Sequence, residues 1–220
     1  MAGTDARGEG RRVALTRLRR GTVHSMSMSA HVPQFTLQRD IATDGLRRIR
    51  RELKELVAAV TLTDVITAAC ARTLREHPNV NASFHEEAVV EHSRVNIGLA
   101  FAMDDGLTVP VVLDADQRTL PELAAERERL VERTRRYALH PDEIFGGTFT
   151  ISNLGPLGVD RFNALVLPPQ AAILALGAMR ERLALSVAFD HRAVDGAPGA
   201  RFLATLARSL TEPDWALGLV

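Results

Sequence analysis

The apolar positions change period several times along the chain, and those changes mark out its elements. Leu183, Leu185, Val187 and Phe189 alternate with Ala184, Ser186 and Ala188, the period of two that sends successive side chains to opposite faces. The spacing predicts a strand with one bulky buried face. Ala200, Leu203, Leu206, Ala207 and Leu210 then recur at helical spacing, so the residues between form a strand-to-helix turn. Leu46, Ile49, Leu53, Leu56 and Val57 form a stripe opposite a row of arginines, in a helix opening at Asp44-Gly45. Thr63 and Asp64 are starting residues for a helix carrying Val65, Ile66, Ala69, Cys70 and Leu74 and ending near His77-Pro78. Leu120, Leu123, Ala124, Leu130, Val131, Tyr137 and Ala138 mark one face of a long helix with Pro121 in its first turn.

The remaining segments are shorter or less regular. From Arg11 to about Ser29 the pattern predicts an irregular helix interrupted by Gly21, with Met26 and Met28 used in core packing. Pro33 stops any helix, and the residues to Leu37 alternate as a strand. Short strands are predicted over 80–84, 88–92, 95–103 and 107–112, separated by turn residues such as Asp104-Asp105-Gly106, and again at 148–152, around 162–165 and at 171–176. Residues 1–10 are expected to be a mobile N-terminus and 11–220 a single domain, since no repeat or hinge-like linker interrupts them. Early helices, clustered strands and a terminal helix imply an α/β sandwich, a mixed sheet covered by helices.

Composition narrows the class. With 46% hydrophobic residues in 220, the chain can fill a core. Cys70 is the sole cysteine, which excludes an internal disulfide framework and a cysteine-rich zinc site, and it reads as a small core residue. Basic and acidic residues number 27 each, so there is no global electrostatic case for nucleic acid; Arg47 to Arg51 and Arg133 to Arg136 read as solvated faces or partner contacts. The sequence holds no apolar run long enough for a membrane span, and its arginine-rich start lacks the apolar core of a signal peptide, so a cytoplasmic location is expected.

Two stretches carry chemistry. In Asp190-His191-Arg192-Ala193-Val194-Asp195-Gly196 an imidazole and, four residues on, a carboxylate emerge from the end of the apolar strand. By spacing alone Asp195 suits a helix N-cap and His191 is a loop histidine. In Gly146-Gly147-Thr148-Phe149-Thr150-Ile151-Ser152-Asn153-Leu154-Gly155 a strand runs into a Ser-Asn-Leu-Gly turn, where a serine alone reads as a turn residue. His24, His31, His77, His85, His92 and His140 are scattered without metal-ligand spacing and receive no catalytic role. No metal site is expected, and no phosphate-cradling or dinucleotide glycine loop is present.

His-x-x-x-Asp-Gly between that strand and helix resembles the signature of the dihydrolipoyl acyltransferase and chloramphenicol acetyltransferase family, whose larger members form the cores of 2-oxoacid dehydrogenase complexes. The Gly-Gly-Thr-Phe-Thr-Ile-Ser-Asn-Leu-Gly run is similar to the same family over its whole length. So, in family order, are Leu15 to Arg20, Val32-Pro33-Gln34-Phe35, Asn96 to Ala100, Gly106 to Val111 and Leu167 to Leu174. The resemblance implies a chloramphenicol acetyltransferase-like two-layer sandwich. It also implies His191 as general base, Ser152 as oxyanion donor, Asp195 as the residue fixing the turn that orients His191, and a site shared between subunits of a trimer.

That resemblance also sets expectations of role. No lipoyl or subunit-binding domain is recognised, and Lys54, the sole lysine, sits in a helical pattern rather than on a hairpin tip. The span from Gly177 to Leu183 is shorter than is usual in the family. The leading expectation is a stand-alone acyltransferase, as in tetronate natural-product biosynthesis. It would move an acetyl or similar group from acetyl-CoA or a carrier-bound thioester to a small-molecule hydroxyl, with no covalently bound cofactor. The alternatives are a dihydrolipoamide acyltransferase core served by a lipoyl domain in trans, in trimers or a cage of trimers, and a non-catalytic assembly core.

Overall fold

The computed structural model describes residues 10–103 and 105–220. The expected mobile N-terminus therefore lies outside the described residues, apart from Gly10, as does Asp104 of one expected turn.

Three of the helices begin where side chains satisfy N–H groups at their starts. Helix α1 spans Arg17–Ser29, with Thr16 Oγ1 accepting from the Arg19 amide. It starts later than the apolar pattern suggests and runs unbroken through Gly21, with Ser29 its sole buried residue. Met28 is 52% exposed in the isolated chain, so the expected core role of the two methionines is not met. α2 spans Asp44–Leu56 and buries Leu46, Ile49 and Leu53, while Leu56 lies on the surface. α3, Leu62–Glu76, opens on a capping box of Thr61 with Asp64, not on Thr63. α4, Leu120–Arg135, opens on another, Thr119 with Glu122. A short α5, Asp142–Phe145, and the terminal α6, Gly196–Thr211, complete the set. Cys70 is fully buried, and burial pushes its thiol well above the ordinary range.

The strands are β1 (Gln34–Ala42), β2 (Ala82–His85), β3 (Ala88–Glu91), β4 (Ile97–Leu99), β5 (Phe101–Met103), β6 (Gly106–Thr108), β7 (Val111–Val112), β8 (Phe149–Asn153), β9 (Ala172–Leu176) and β10 (Arg182–Asp190). Six of them form a mixed sheet in the order β1-β10-β9-β8-β4-β7, in which β8 runs parallel to both neighbours and the other pairs are antiparallel. β2 with β3, and β5 with β6, are separate hairpins. α6 packs on β1 and β10 and against α2 and α3, and α4 packs between α3 and β7, which gives the mixed sheet with helical cover that the pattern implies.

Three strand expectations change. Residues 95–103 and 107–112 each divide between the sheet and the β5–β6 hairpin; Pro110, which has no N–H to donate, sits at one break and accepts the Leu99 amide instead. Residues 162–165 form no strand. Their neighbour Val166 is held by side chains, donating to Gln34 Oε1 (2.9 Å) and accepting from Ser29 Oγ (2.7 Å). This segment packs Val166 on Ile173 and Ala188, so β10 is buried on both faces rather than one. Ala188 faces this segment, and Ala184 and Ser186 on the same side of the strand are buried as well.

Candidate functional site

His191 follows the last residue of β10. Its amide donates to the Pro33 carbonyl (2.9 Å), and its ring lies 4.6 Å from that of Phe35, centroid to centroid. Phe35 stacks on Phe189 at 5.2 Å, and Phe189 meets Phe202 edge-on, so the imidazole rests on an aromatic column rooted in the core. The side chain is nevertheless 51% exposed, which leaves it accessible to a substrate.

Asp195 departs from its expected role. It occupies the N-cap position of α6 with extended backbone, yet its side chain makes no capping bond. It is 82% exposed, and its Oδ1 lies 3.7 Å from His191 Nδ1, beyond hydrogen-bond reach. The turn is fixed instead by Asp190. Its carbonyl accepts the amides of Ala193 and Val194, and its carboxylate accepts the Arg192 amide and is bound by the Arg192 guanidinium. By sequence alone Asp190 and Arg192 receive no role. A carboxylate on the last strand position, two residues before an arginine, is the signal that marks them.

Ser152 is the fourth residue of β8 and is half-buried, and its hydroxyl has no hydrogen-bond partner among the described residues. The Ser-Asn-Leu-Gly turn forms as expected: Asn153 Oδ1 accepts the Gly155 amide (2.9 Å). Glycine is required here because two backbones nearly touch. A Cβ on Gly155 would lie 2.4 Å from the Gly177 carbonyl oxygen, and one on Gly177 would lie 1.9 Å from that of Asp160. The short connection after Gly177 is held by bonds from Thr43 Oγ1 (2.7 Å) and Arg47 Nη2 (2.6 Å) to the Arg180 carbonyl.

The register shows that His191 and Ser152 of one chain do not meet. Ser152 pairs with Ala175, and Ala175 with Ser186, so the three lie in a row across the sheet. His191 lies five residues beyond Ser186, which is about 17 Å along the strand and about 10 Å across it from Ser152. No rotamer closes such a gap. The two groups can share a reaction only if a second copy brings its serine end to the histidine end of the first.

Comparison with known proteins agrees with this architecture. The profile of the 2-oxoacid dehydrogenases acyltransferase (catalytic domain) family matches residues 7–217. The dihydrolipoyllysine-residue acetyltransferase component of the pyruvate dehydrogenase complex from Rickettsia bellii is 36% identical over 200 residues, 83% of this chain and 48% of that protein. The chain thus spans about half the length of that relative. Among solved structures, the cubic core of a pyruvate dehydrogenase multienzyme complex superposes with TM-score 0.88 at 33% identity, covering 96% of this chain and 95% of that one. The Azotobacter vinelandii dihydrolipoamide acetyltransferase superposes with TM-score 0.89, at the same identity and coverage. That crystallographic study concerns the catalytic role of a serine, a histidine and, four positions after the histidine, an asparagine. A chloramphenicol acetyltransferase at 12% identity and TM-score 0.53 shares the fold alone. By its profile match across nearly the whole length and by its kinship with these acetyltransferases, the chain belongs to the 2-oxoacid dehydrogenase acyltransferase family.

Proposed function

We propose that the chain transfers an acyl group between the thiols of CoA and dihydrolipoamide, the latter presented by a lipoyl domain. This reverses the order of expectation drawn from the sequence, which put a hydroxyl acceptor of tetronate type first. The reading rests on one observation above the others: His191 stands exposed at the end of β10 with Asp195 four residues on. That is the spacing of the histidine and asparagine studied in the Azotobacter acetyltransferase, whose fold this chain matches almost end to end.

The chemistry follows from the groups. Nδ1 of His191 is the nitrogen turned toward Asp195, so Nε2 is available to take the proton of the attacking thiol. The thiolate adds to the thioester carbonyl, and the oxyanion accepts a hydrogen bond from Ser152 of a neighbouring copy. Collapse expels the other thiolate, which recovers the proton from His191. A closed ring of copies, each giving its histidine to one neighbour and its serine to the other, satisfies the separation of the two groups, and a trimer is the proposed form.

The test is formation of S-acetyldihydrolipoamide from acetyl-CoA, followed by chromatography because the exchange releases no net thiol. A parallel panel of hydroxyl acceptors is read by CoA release. Product that requires dihydrolipoamide and vanishes in His191→Ala supports the proposal. CoA release that requires a hydroxyl acceptor reinstates the stand-alone O-acyltransferase, and no turnover with either acceptor favours an assembly core.

A further inference from the structure

His191 is flanked by residues of opposite charge, and the structure closes them on each other around it. The Asp190 side chain is 3% exposed, and that of Arg192 is 36% exposed. Asp190 Oδ1 accepts both the Arg192 amide (3.0 Å) and Arg192 Nε (2.9 Å), and Oδ2 accepts Arg192 Nη2 (2.7 Å). A carboxylate that grips the amide two residues on closes an Asx turn over the residue between them, which is His191. The guanidinium in turn lies 4.4 Å from the ring centre of Phe84 in β2.

Phe84 is itself on a braced support. Ser83 Oγ sits between His85 Nε2 (2.8 Å) and His92 Nε2 (2.9 Å), and Asn81 Nδ2 donates to the carbonyls of His92 and Arg94 (2.9 Å each). The β2–β3 hairpin is fastened to the histidine end of the sheet by a bridge from Ser83 to Gln170 and by the Ala171 amide on the Ala82 carbonyl (2.9 Å). These histidines, set aside in the sequence, stiffen the platform under Arg192.

A carboxylate buried next to a solvent-exposed turn is costly unless it is paired, and replacing such a pair by apolar groups is often neutral for stability. Stability alone therefore gives little reason to keep a bidentate ion pair here. Orientation does. A displacement of about 1 Å at a reacting group can cost on the order of 100-fold in rate.

We propose that the Asp190–Arg192 pair, seated on Phe84, is the device that positions His191, in place of the more distant Asp195. Neither residue is catalytic; both act through the imidazole. The proposal rests on the reading of His191 as the base.

The experiment measures kcat and both KM values for acetyl-CoA and dihydrolipoamide exchange in Arg192→Ala, Arg192→Lys and Asp190→Asn, with unfolding midpoint and oligomer size for each and His191→Ala alongside. Arg192→Ala is expected to lower kcat about 10- to 100-fold with both KM values within about twofold, without loss of folding or assembly. Lysine, which lacks the planar fork, should restore little of that loss. Asp190→Asn keeps an oxygen for the Arg192 amide and should fall between wild type and Arg192→Ala; if it does not fold, the half-exposed Arg192 still decides the matter. Wild-type kcat in Arg192→Ala beside an inactive His191→Ala overturns the positioning role and leaves the base assignment standing. A loss that appears only in KM, or that tracks the unfolding midpoint, also overturns it. An active His191→Ala removes the base assignment, and the positioning role with it.

Discussion

At the His191 end of the sheet the backbone is fastened by charged and aromatic side chains; at the Ser152 end it is fastened by glycines. The turn after β10 is closed by the Asp190 carbonyl and carboxylate and backed by Phe35. The turn after β8 is held by an asparagine cap and by the contact of Gly155 with Gly177. Under the proposed function, the difference follows from what each end would have to present. A general base needs its ring fixed about two torsions, which takes side-chain partners. A hydroxyl that stabilises an oxyanion needs chiefly a fixed strand position and a free O–H, and Ser152 has both.

The largest effect that tests this contrast is at the base. His191→Ala should lower acyl transfer by roughly 10² to 10⁴, and Ser152→Ala by about 10² to 10³, each read as kcat with unfolding midpoint unchanged. Co-expression of the two variants sharpens the comparison, because randomly mixed rings contain intact sites wherever a good histidine meets a good serine, in about a quarter of positions. Activity well above either homogeneous variant is the expected result, and none would mean that the two groups do not act across copies.

Packing at the serine end should fail more readily than at the histidine end. Gly177→Ala places a Cβ 1.9 Å from a backbone carbonyl, so a destabilisation of about 2 kcal/mol or more is expected in denaturant titration, with activity falling alongside. Asp195→Ala makes the opposite case. The side chain forms no capping bond, so the loss should stay below about 0.5 kcal/mol, against about 1 kcal/mol for a working cap.

The smallest effect is a pH slope. Burial holds His77 and His92 below the ordinary histidine range. The unfolded chain therefore binds more protons between the folded and unfolded values, and stability is lost as pH falls through about 6.5. Asp114 and Glu126, held low by hydrogen bonds from Arg94 and Arg129, lose their contribution in turn as pH falls below about 4. Thermal midpoints from pH 8 to 3 should show two successive declines, the first flattened by His77→Gln.

The amphipathic stripes of α2 as far as Leu53 and of α4 as far as Leu130, the β10 alternation and the turn into α6 were legible because each is a local periodicity that a short window contains, whereas Leu56, Tyr137 and Ala138, expected in those stripes, are exposed, the last two beyond the end of α4. The two candidate groups, His191 and Ser152, were found through a resemblance spread over the chain, since an isolated histidine or turn serine carries no signal of its own. What could not be read was decided by neighbours far apart in sequence. The burial of β10 on both faces depends on residues near 166 lying across it, held by Ser29 and Gln34. The exposure of Met28 arises because α1 stands off the core. Asp190 displaced Asp195 as the anchor of the turn because a buried carboxylate finds partners in the folded backbone, whereas an exposed one competes with water. The register that sets Ser152 and His191 at opposite ends of one sheet is likewise a property of strand pairing. That pairing joins Ser152 to Ala175 and Ala175 to Ser186, and no local pattern records it.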